Sequence, residues 1–546
     1  MQVNYRYMGT SQVASNSQHT QVSFSPDTLR PPTFFVGELK NKLAFREAMS
    51  ALHQVVISDM RFTPKNRDEY QRWLTEQEQT LLADLVSKQG KVKQQLNQVR
   101  DELAAMNRVA SKIMAPFYQA QNQYFKYLYK HDIDAWYVLD PVITVHPDQV
   151  FFECFSEDES SYGKLSCSYE VFKNISDTEF GTTNIDYSEG LYNEFQKIRD
   201  YRDTQLKIDP DGFKVATSGQ QDFAEKKIDL PDSWVRGFLQ VSSAMTLPMV
   251  RLKMQPMDLY NICFKLRTKK ERVGPRAMRF ELTPGQAIKV ILEPWGEEIL
   301  CPRSIYQGDE PRSIRVWGRR RLHILERLLP IASHFEVCLL GDGMPSFYIA
   351  DLGGMSFTLG LSGWSANDWS KMANFDLLAS RAEVDSQTSA KVYQALFESQ
   401  QQSANRLALQ LGLDLNTVKS ALAQYSQHGQ VLYDMELDVY RIRHLCHEPI
   451  PLEQLRFNNE REEKALNFVN AGLVSIQKDQ FNENGRYIAG QVLDNAVEHQ
   501  SFISLDLDHR LVDGQCNCHF WHRNKLRQGP CEHMLALRQQ TSNGSL

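Results

Sequence analysis

The stretch GQCNCHFWHRNKLRQGPCEHMLAL, residues 514–537, determines how the C-terminal part of the chain folds. Cys516 and Cys518 are separated by one residue, and Cys531 and His533 repeat that spacing after an intervening loop. Three thiolates and one imidazole form a ligand set that tetrahedral Zn²⁺ prefers in closed sites. The pattern therefore predicts one structural zinc ion, bound by these four side chains.

The residues around the four ligands favour the same site. Gly529 and Pro530 end the loop, so that Cys531 falls at the start of the helix CEHMLALR. A thiolate at a helix N-terminus is stabilised by the helix dipole, which assists metal binding. His519 and His522 lie in the loop as alternative ligands, but we interpret both as solvent-exposed. A complete set of four leaves no ligand position for water, which indicates a structural rather than a catalytic metal.

Composition restricts the class of protein. A chain of 546 residues with 42% hydrophobic and 23% charged residues is globular and long enough for several domains. The formal net charge of -6 gives no global attraction to nucleic acid, so any such contact requires a local basic patch. Nine scattered cysteines indicate a reducing compartment, and we expect a cytoplasmic protein. The chain contains no run of about 18 apolar residues, so no membrane span is predicted.

The N-terminal part of the chain divides into two regions. Residues 1–36 are rich in Ser, Gln and Thr and are expected to form a flexible lead-in. Residues 37–131 are predicted to be helical, and apolar residues recur three and four apart from Leu82 to Phe117. Such heptads predict a coiled coil. They are equally consistent with a hairpin within one chain and with pairing between two chains.

The middle of the chain, residues 132–385, alternates short β-type runs with Gly and Pro turns and a few helical segments. This pattern predicts an α+β core that contains antiparallel sheets. The whole chain is therefore predicted to be an α+β multidomain protein. We expect an N-terminal coiled coil, a β-rich core, a winged helix and a C-terminal zinc module.

Residues 386–446 follow the order of a winged helix-turn-helix: helix, helix, turn, helix and hairpin. Ser403 and Asp414 are placed to cap the second and third helices, with the turn at Gly412. Asn416, Thr417 and Lys419 are then predicted on the exposed side of the third helix, together with Ser420, where recognition helices contact bases.

The hairpin after the third helix argues against a simple DNA-binding role. It carries the carboxylates of Asp434, Glu436 and Asp438, which repel phosphate. Binding of protein and binding of DNA therefore remain alternatives for this predicted winged helix.

The last region, residues 447–546, resembles the SWIM-type zinc finger. Strands ending in Cys-x-Cys, a variable loop and Cys-x-His at the start of a helix are that family's motif. The resemblance implies a module that binds DNA or protein. The segments FFECFSEDESSYGKL, IDLPDSWVRGFLQVSSAMTLP, VWGRRRL and FTLGLSGWSANDW are similar to those of large bacterial SWIM proteins. These are encoded beside a MoxR-type AAA+ ATPase and a von Willebrand A protein, which the resemblance implies as partners.

Three basic clusters are candidate contacts for nucleic acid or a protein partner. They are Arg319, Arg320 and Arg321; Lys269, Lys270 and Arg272; and Arg523, Lys525 and Arg527 in the loop of the zinc motif. They are also consistent with charged surfaces that bind nothing, and we favour for the arginine cluster a structural role as such a surface or in ion pairs with acidic neighbours such as Glu326.

The sequence contains no familiar catalytic signature. We therefore expect a non-enzymatic adaptor that binds protein partners and links an AAA+ ATPase assembly to its target. The alternative is a DNA-binding protein that uses the winged helix, the zinc module and the basic clusters. An enzyme with an unfamiliar site in the β-rich core is a third possibility.

Overall fold

The fold is described from a computed structural model of the chain. The structure describes residues 12–15, 19–24, 33–58, 141–208, 232–269, 277–445 and 460–543. Within these ranges there are short gaps at 177, 185–191, 193–194, 202, 342, 364–367, 371–373, 379–383, 483–484, 496 and 507–510. All of these residues belong to one compact unit formed by 1–58 and 139–546. The other unit, 59–138, lies outside the described residues.

The strands are β1 Gln12–Ser15, β2 His19–Phe24, β3 Phe35–Leu39, β4 Val142–Val145, β5 Gln149–Phe155, β6 Ser161–Ser168, β7 Phe172–Lys173, β8 Gly181–Asn184, β9 Asp203–Ile208, β10 Val250–Met254, β11 Met278–Leu282, β12 Ala287–Leu292, β13 Glu297–Ile305, β14 Arg312–Val316, β15 His334–Leu339, β16 Ser346–Asp351, β17 Met355–Leu361, β18 Gln401–Gln402, β19 Val431–Asp434, β20 Val439–Ile442, β21 Val474–Asn482, β22 Gly485–Asp494, β23 Val497–Leu505 and β24 Leu511–Cys516. The α-helices are α1 Lys42–Val56, α2 Asp232–Met245, α3 Pro256–Thr268, α4 Ser386–Ser399, α5 Ala404–Leu411, α6 Leu415–Gln427, α7 Glu460–Asn470, α8 His519–Asn524 and α9 Glu532–Asn543. Short 3₁₀ helices span Tyr169–Val171, Arg319–Arg327 and Phe375–Leu377.

An eight-stranded antiparallel sheet, in the order β10-β15-β16-β17-β6-β5-β4-β8, is the centre of the fold. Every residue of β5 is buried because helices cover both faces of the sheet. Helix α1 packs on the face of Gly163, where an added Cβ would meet Val55 at 3.1 Å. Helix α2 packs on the opposite face, where Gly237 lies directly against the ring of Phe155. The sheet is therefore the middle layer of a three-layer core.

Two further sheets lie in the same compact unit. One has the order β1-β2-β9-β3-β7, in which β2 runs parallel to β9. The other, β13-β12-β11-β14, is antiparallel and is contacted by α3. The lead-in predicted as flexible over residues 1–36 thus contributes β1, β2 and the first residues of β3. Local composition does not reveal β2 and β3, because their partner β9 is far away in the sequence.

The helical region predicted from residue 37 begins differently in the structure. Residues 35–39 form β3, and α1 begins only at Lys42, where the side chain of Asn41 accepts a hydrogen bond from the backbone N–H of Ala44 at 3.2 Å. The heptad segment, and with it the coiled-coil prediction, lies outside the described residues.

Residues 386–445, here called the three-helix region, contain α4, α5 and α6 and the small antiparallel sheet β18-β20-β19. The side chains of Ser403 and Asp414 cap α5 and α6, and Gly412 ends α5 with φ +64°. Twelve buried apolar residues, among them Leu407 and Val418, form a small core that is separate from the main core of the protein.

Residues 460–543, here called the zinc module, consist of α7, the antiparallel sheet β21-β22-β23-β24, and the helices α8 and α9. Helix α9 packs against α7 and against the sheet. Its buried residues Met534, Leu535 and Leu537 belong to the main hydrophobic core rather than to a core of their own. Within the part of the chain that the structure describes, no helix is both long and apolar enough to cross a bilayer.

Candidate metal centre

The four predicted ligands lie together at the end of the zinc module. The ligand atoms of Cys516, Cys518, Cys531 and His533 are all within 4.8 Å of one another. The Nδ1 atom of His533 is 3.7 Å from the Sγ atom of Cys516. Zn–S bonds near 2.3 Å and Zn–N bonds near 2.0 Å at a tetrahedral angle place these two atoms about 3.6 Å apart. The distances therefore fit a zinc ion bound through three sulfurs and Nδ1.

Each ligand is held by the end of a regular element. Cys516 is the last residue of β24, and Cys518 caps α8, with its Sγ 3.4 Å from the backbone N–H of Trp521. Cys531 immediately precedes α9, and His533 lies in the first turn of that helix. The knuckle thus joins one strand end to two helix starts, as the sequence predicts for the strand and for the second helix.

The four ligands are buried, and hydrogen bonds among the three cysteine side chains contribute to the shifted pKa values of Cys516 and Cys531. All four ligands belong to the buried residues of the protein. Hydrogen bonds from the thiols of Cys518 and Cys531 lower the pKa of Cys516 to about 3. Burial raises the pKa of Cys531 well above its ordinary value, as does its bond to Cys516. A bound metal ion replaces these protons, so zinc binding releases them.

Arg461 of α7 supports the loop before Cys531, and the sequence analysis missed it. Its guanidinium donates hydrogen bonds to the backbone carbonyls of Gln528 and Pro530, both at 2.9 Å, and it lies over the ring of Phe520 at 4.5 Å. These contacts hold the chain immediately before the third ligand. A charged residue near the start of a helix carries no local signal for such a role, because its partners are 67 and 69 residues away.

The zinc module is attached to the main core by backbone contacts. The N–H of Leu511 donates to the carbonyl of Leu378 at 2.8 Å, and buried Arg538 donates to the carbonyl of Leu377 at 2.7 Å. Gly529 has φ +82°, and an added Cβ would lie 2.7 Å from the carbonyl oxygen of Asn374. The loop of the zinc motif therefore rests directly on the segment 374–378.

The three basic residues of that loop have different environments. Arg523 and Lys525 are exposed, and the ammonium of Lys525 lies 3.3 Å from the ring centre of Trp521. Arg527 is half-buried, with its guanidinium 5.2 Å from the ring centre of Trp317 in the core. The loop is also not irregular throughout, because residues 519–524 form α8. Two of the three side chains are therefore available to a partner.

The cluster Arg319, Arg320 and Arg321 is not the exposed basic surface that a contact with nucleic acid would require. Arg319 is buried and donates to the backbone carbonyls of Ala277 and Glu293. Arg321 is buried as well, with its guanidinium 3.5 Å from the carboxylate of Asp158. Arg320 is the exposed member of the three. Two of these arginines therefore bind the protein's own chain, where their charges compensate buried carbonyls and a carboxylate.

The second basic cluster is described only in part. Lys269 is exposed, forms an ion pair with Glu297 and lies 5.8 Å from the ring centre of Trp295. Lys270 and Arg272 lie outside the described residues.

The polar residues of α6 are less exposed than the prediction requires. Asn416, Thr417 and Lys419 are half-buried, and Ser420 is buried. Helix α6 packs against α2 of the core as well as against α4 and α5. These contacts depend on tertiary structure and leave no pattern within α6 itself.

Comparison with known proteins agrees with the metal site. A family model described as the SWIM zinc finger matches residues 500–539. No curated protein matches the chain. Among solved structures, proliferating cellular nuclear antigen from Entamoeba histolytica is similar at 10% sequence identity and a TM-score of 0.30, over 41% of this chain and 89% of that chain. So low a TM-score supports no inference about this protein.

The family match, the ligand set and the interatomic distances agree with one another. They confirm the predicted zinc finger and its metal. Residues 500–539 are a SWIM zinc finger that holds one structural zinc ion through Cys516, Cys518, Cys531 and His533.

Proposed function

We propose that the chain is a zinc-stabilised, non-enzymatic adaptor that binds a protein partner through the exposed part of its zinc module. The observation that carries this proposal is that the basic residues in the loop of the zinc motif differ in exposure. Arg527 packs on the core, whereas Arg523 and Lys525 project from α8 and its end into solvent. The buried metal holds this surface in one conformation, which reduces the entropy lost when a partner binds.

We further propose that the three-helix region is a winged helix. Its wing, the hairpin β19–β20, packs against the core of the protein. The order of its helices and the hairpin β19–β20 support the assignment. Asp434 and Arg441 of the hairpin are buried, with side-chain atoms 2.8 Å apart, and Arg441 also binds Asp148, the residue before β5. The exposed tip of this hairpin, residues 436–438, carries the carboxylates of Glu436 and Asp438, which repel the phosphates of DNA, so a protein-binding or purely structural role is favoured.

The partner proposed from the resemblance is an assembly that contains a MoxR-type AAA+ ATPase and a von Willebrand A protein. The resemblance is its only support. The cytoplasm is the proposed location, in agreement with the eight described cysteines, none of which forms a disulfide.

The second candidate function is DNA binding by the zinc module. It is favoured by one observation, the stacked pair of Lys525 and Trp521 beside exposed Arg523. A cation next to an aromatic ring can contact the backbone and a base of single-stranded nucleic acid. Binding of this kind weakens steeply as salt increases, because counterions are released from the phosphates.

One experiment separates the two functions. The double variant Arg523→Glu and Lys525→Glu is purified from its host with nuclease present, beside wild type and a control with Lys253→Glu and Lys391→Glu, which changes the same charge on exposed residues elsewhere. The adaptor proposal expects the ATPase to co-purify with wild type and with the control but not with the loop variant, while all three retain one zinc ion. It is wrong if wild type retains no partner, or if the loop variant retains the partner fully. DNA binding at low salt by wild type alone supports the second function instead.

A further inference from the structure

The imidazole of His533 has one nitrogen toward the metal and the other toward a buried space. Nδ1 lies 3.7 Å from the Sγ atom of Cys516, on the side of the three sulfurs. Nε2 is buried and has no hydrogen-bond partner among the described residues. With Nδ1 bound to zinc, a neutral imidazole must carry its proton on Nε2. That N–H needs an acceptor, because an unpaired buried donor is destabilising by about 1–3 kcal/mol.

The nearest charged acceptor comes from the hairpin between β22 and β23. Asp494 is the last residue of β22, and its Oδ2 atom is 3.6 Å from Nε2 of His533. The next residue, Asn495, turns the chain with φ +47°. The separation exceeds an ordinary N–H···O hydrogen bond by about half an ångström. The carboxylate is half-buried at the end of a strand, so a small side-chain rotation closes that gap.

The same hairpin also contacts the ring of His533 and the residue between the first two cysteine ligands. The ring of His499 stacks on the ring of His533 with their centres 4.1 Å apart. Its Nδ1 atom is 3.0 Å from the side-chain oxygen of Asn517, the residue between the first two cysteine ligands. The backbone N–H of Asn517 donates to the carbonyl of Gln500. The end of the hairpin therefore contacts both halves of the ligand set.

We propose that Asp494 is a positioning residue of the zinc site. It accepts the N–H of His533 at Nε2, which fixes the ring so that the lone pair of Nδ1 points at the metal. His499 covers the outer face of the same ring. Carboxylates that accept a hydrogen bond from a metal-bound histidine orient the ring and increase its basicity, and their loss typically lowers metal affinity 10- to 100-fold. Asp494 lies outside the residues 500–539 that match the zinc-finger family, so the functional zinc unit begins before that match.

Asp494, His499 and His533 also have the composition of a second metal site, and their ligand atoms lie within 4.8 Å of one another. A second ion would need the Nε2 lone pair, which a neutral imidazole bound to zinc through Nδ1 does not have. The two arrangements are mutually exclusive for a neutral His533. Our proposal therefore requires one metal ion per chain and not two.

The test uses the full chain and measures zinc affinity by competition with a chromophoric chelator. Asp494→Ala is expected to bind zinc 10- to 100-fold more weakly than wild type. Asp494→Asn, which retains an acceptor oxygen, is expected to fall between the two, and Asp494→Glu is expected to recover part of the loss. The control Glu498→Gln changes an exposed carboxylate of the same hairpin and is expected to bind as wild type does. Circular dichroism at saturating zinc shows whether each variant is folded.

A second measurement does not depend on stability. Long-range ¹H–¹⁵N NMR of zinc-loaded protein with labelled histidine is expected to show His533 with its proton on Nε2. The proposal is overturned if that proton is on Nδ1, if Asp494→Ala binds zinc as tightly as wild type, or if wild type binds two zinc ions. Failure of wild type to bind any zinc would instead refute the zinc site itself.

Discussion

The zinc module and the three-helix region are held against the same core by different kinds of contact. The apolar residues of the zinc module belong to the main hydrophobic core, and Leu511 of β24 and Arg538 of α9 donate hydrogen bonds to backbone carbonyls of Leu378 and Leu377. The three-helix region keeps a small apolar core of its own. It contacts the core through α6, which packs against α2, and through the hairpin β19–β20 and the following residue Arg443, where buried charges pair with buried charges.

The buried charges at that second attachment each have a partner of opposite charge. Arg443 donates to the carboxylate of Glu153 at 2.8 Å, and Glu153 also accepts the hydroxyl of Tyr162. Asp434 binds Lys164 at 3.3 Å in addition to Arg441. A buried network of this kind fixes one geometry but adds little net stability, and it becomes costly when one member is lost. Apolar contact, in contrast, loses stability in proportion to the atoms removed. Substitutions at the two attachments should therefore lower stability in different ways: by leaving a charge unpaired in the three-helix region, and by removing apolar contact in the zinc module.

The largest effect is expected from loss of the metal. A structural zinc contributes on the order of 10 kcal/mol to folding. Because the module shares its apolar residues with the main core, Cys531→Ser should release zinc and also loosen the segment 374–378 and α2, rather than unfold the C-terminal unit alone. Hydrogen exchange with and without chelator measures this spread.

The control for the metal prediction is His519→Ala, which removes an exposed histidine of the loop and should retain one zinc ion. Exchange that increases only within residues 460–543 after zinc removal would show that the shared core does not couple the two parts.

The next largest effect is expected at the buried ion pair of the three-helix region. Glu153→Gln leaves the charge of Arg443 buried without its counter-charge, and we expect a loss of about 3–5 kcal/mol in the free energy of unfolding. Urea unfolding followed by fluorescence measures it. The double variant Glu153→Leu with Arg443→Met removes both charges and should be more stable than Glu153→Gln alone. A double variant that is less stable than both single variants would contradict this account.

A similar or smaller loss in the free energy of unfolding is expected when a side chain of the small core of the three-helix region is truncated. Leu407→Ala removes a fully buried side chain, and we expect a loss of about 2–5 kcal/mol. This core is separate, so the loss should be local, with zinc affinity unchanged. Leu409→Ala in the same helix is the matched control, because Leu409 is 84% exposed and its removal should change stability by less than about 0.5 kcal/mol. Equal effects of the two substitutions would be inconsistent with the packing described.

Acid should weaken the attachment of the three-helix region. Burial, followed by the charge of Arg441, lowers the pKa of His146 to about 4, and its Nε2 atom lies 2.7 Å from the carbonyl of Ile442. The unfolded chain binds this proton first, so the contribution is complete above about pH 6.5 and is lost as the pH falls toward 4. We expect a loss on the order of 2 kcal/mol between pH 7 and pH 5.

A second group at the same attachment titrates at lower pH. Burial opposes ionisation of Asp434, but Lys164 and Arg441 outweigh it and lower its pKa. Its contribution is present above about pH 4 and is lost as the pH falls below that value. Thermal unfolding across this range measures both groups. His146→Gln should remove the upper part of the pH dependence, and a profile unchanged by that substitution would contradict the assignment.

The ligands of the metal and the caps of the helices could be predicted because their partners are near in the sequence. Cys516 and Cys518 are one residue apart, and Ser403 and Asp414 each bind the backbone two or three residues later. Arg321 and Arg443 could not be predicted as buried. Their partners Asp158 and Glu153 lie far away in the chain, 290 residues in the second case. A basic residue looks the same in the sequence whether its charge is solvated by water or paired with a buried carboxylate.

The sequence by itself determined the chemistry of the metal site, because three thiols and an imidazole at that spacing leave few other uses for these residues. Only the tertiary structure decided which charges reach solvent. In the folded protein Arg319 and Arg321 are buried, the hairpin β19–β20 packs against the core, and Arg523 and Lys525 are exposed. The reason is physical: ligand geometry is set by short-range bonds, whereas burial of a charge depends on whether a distant segment supplies its partner.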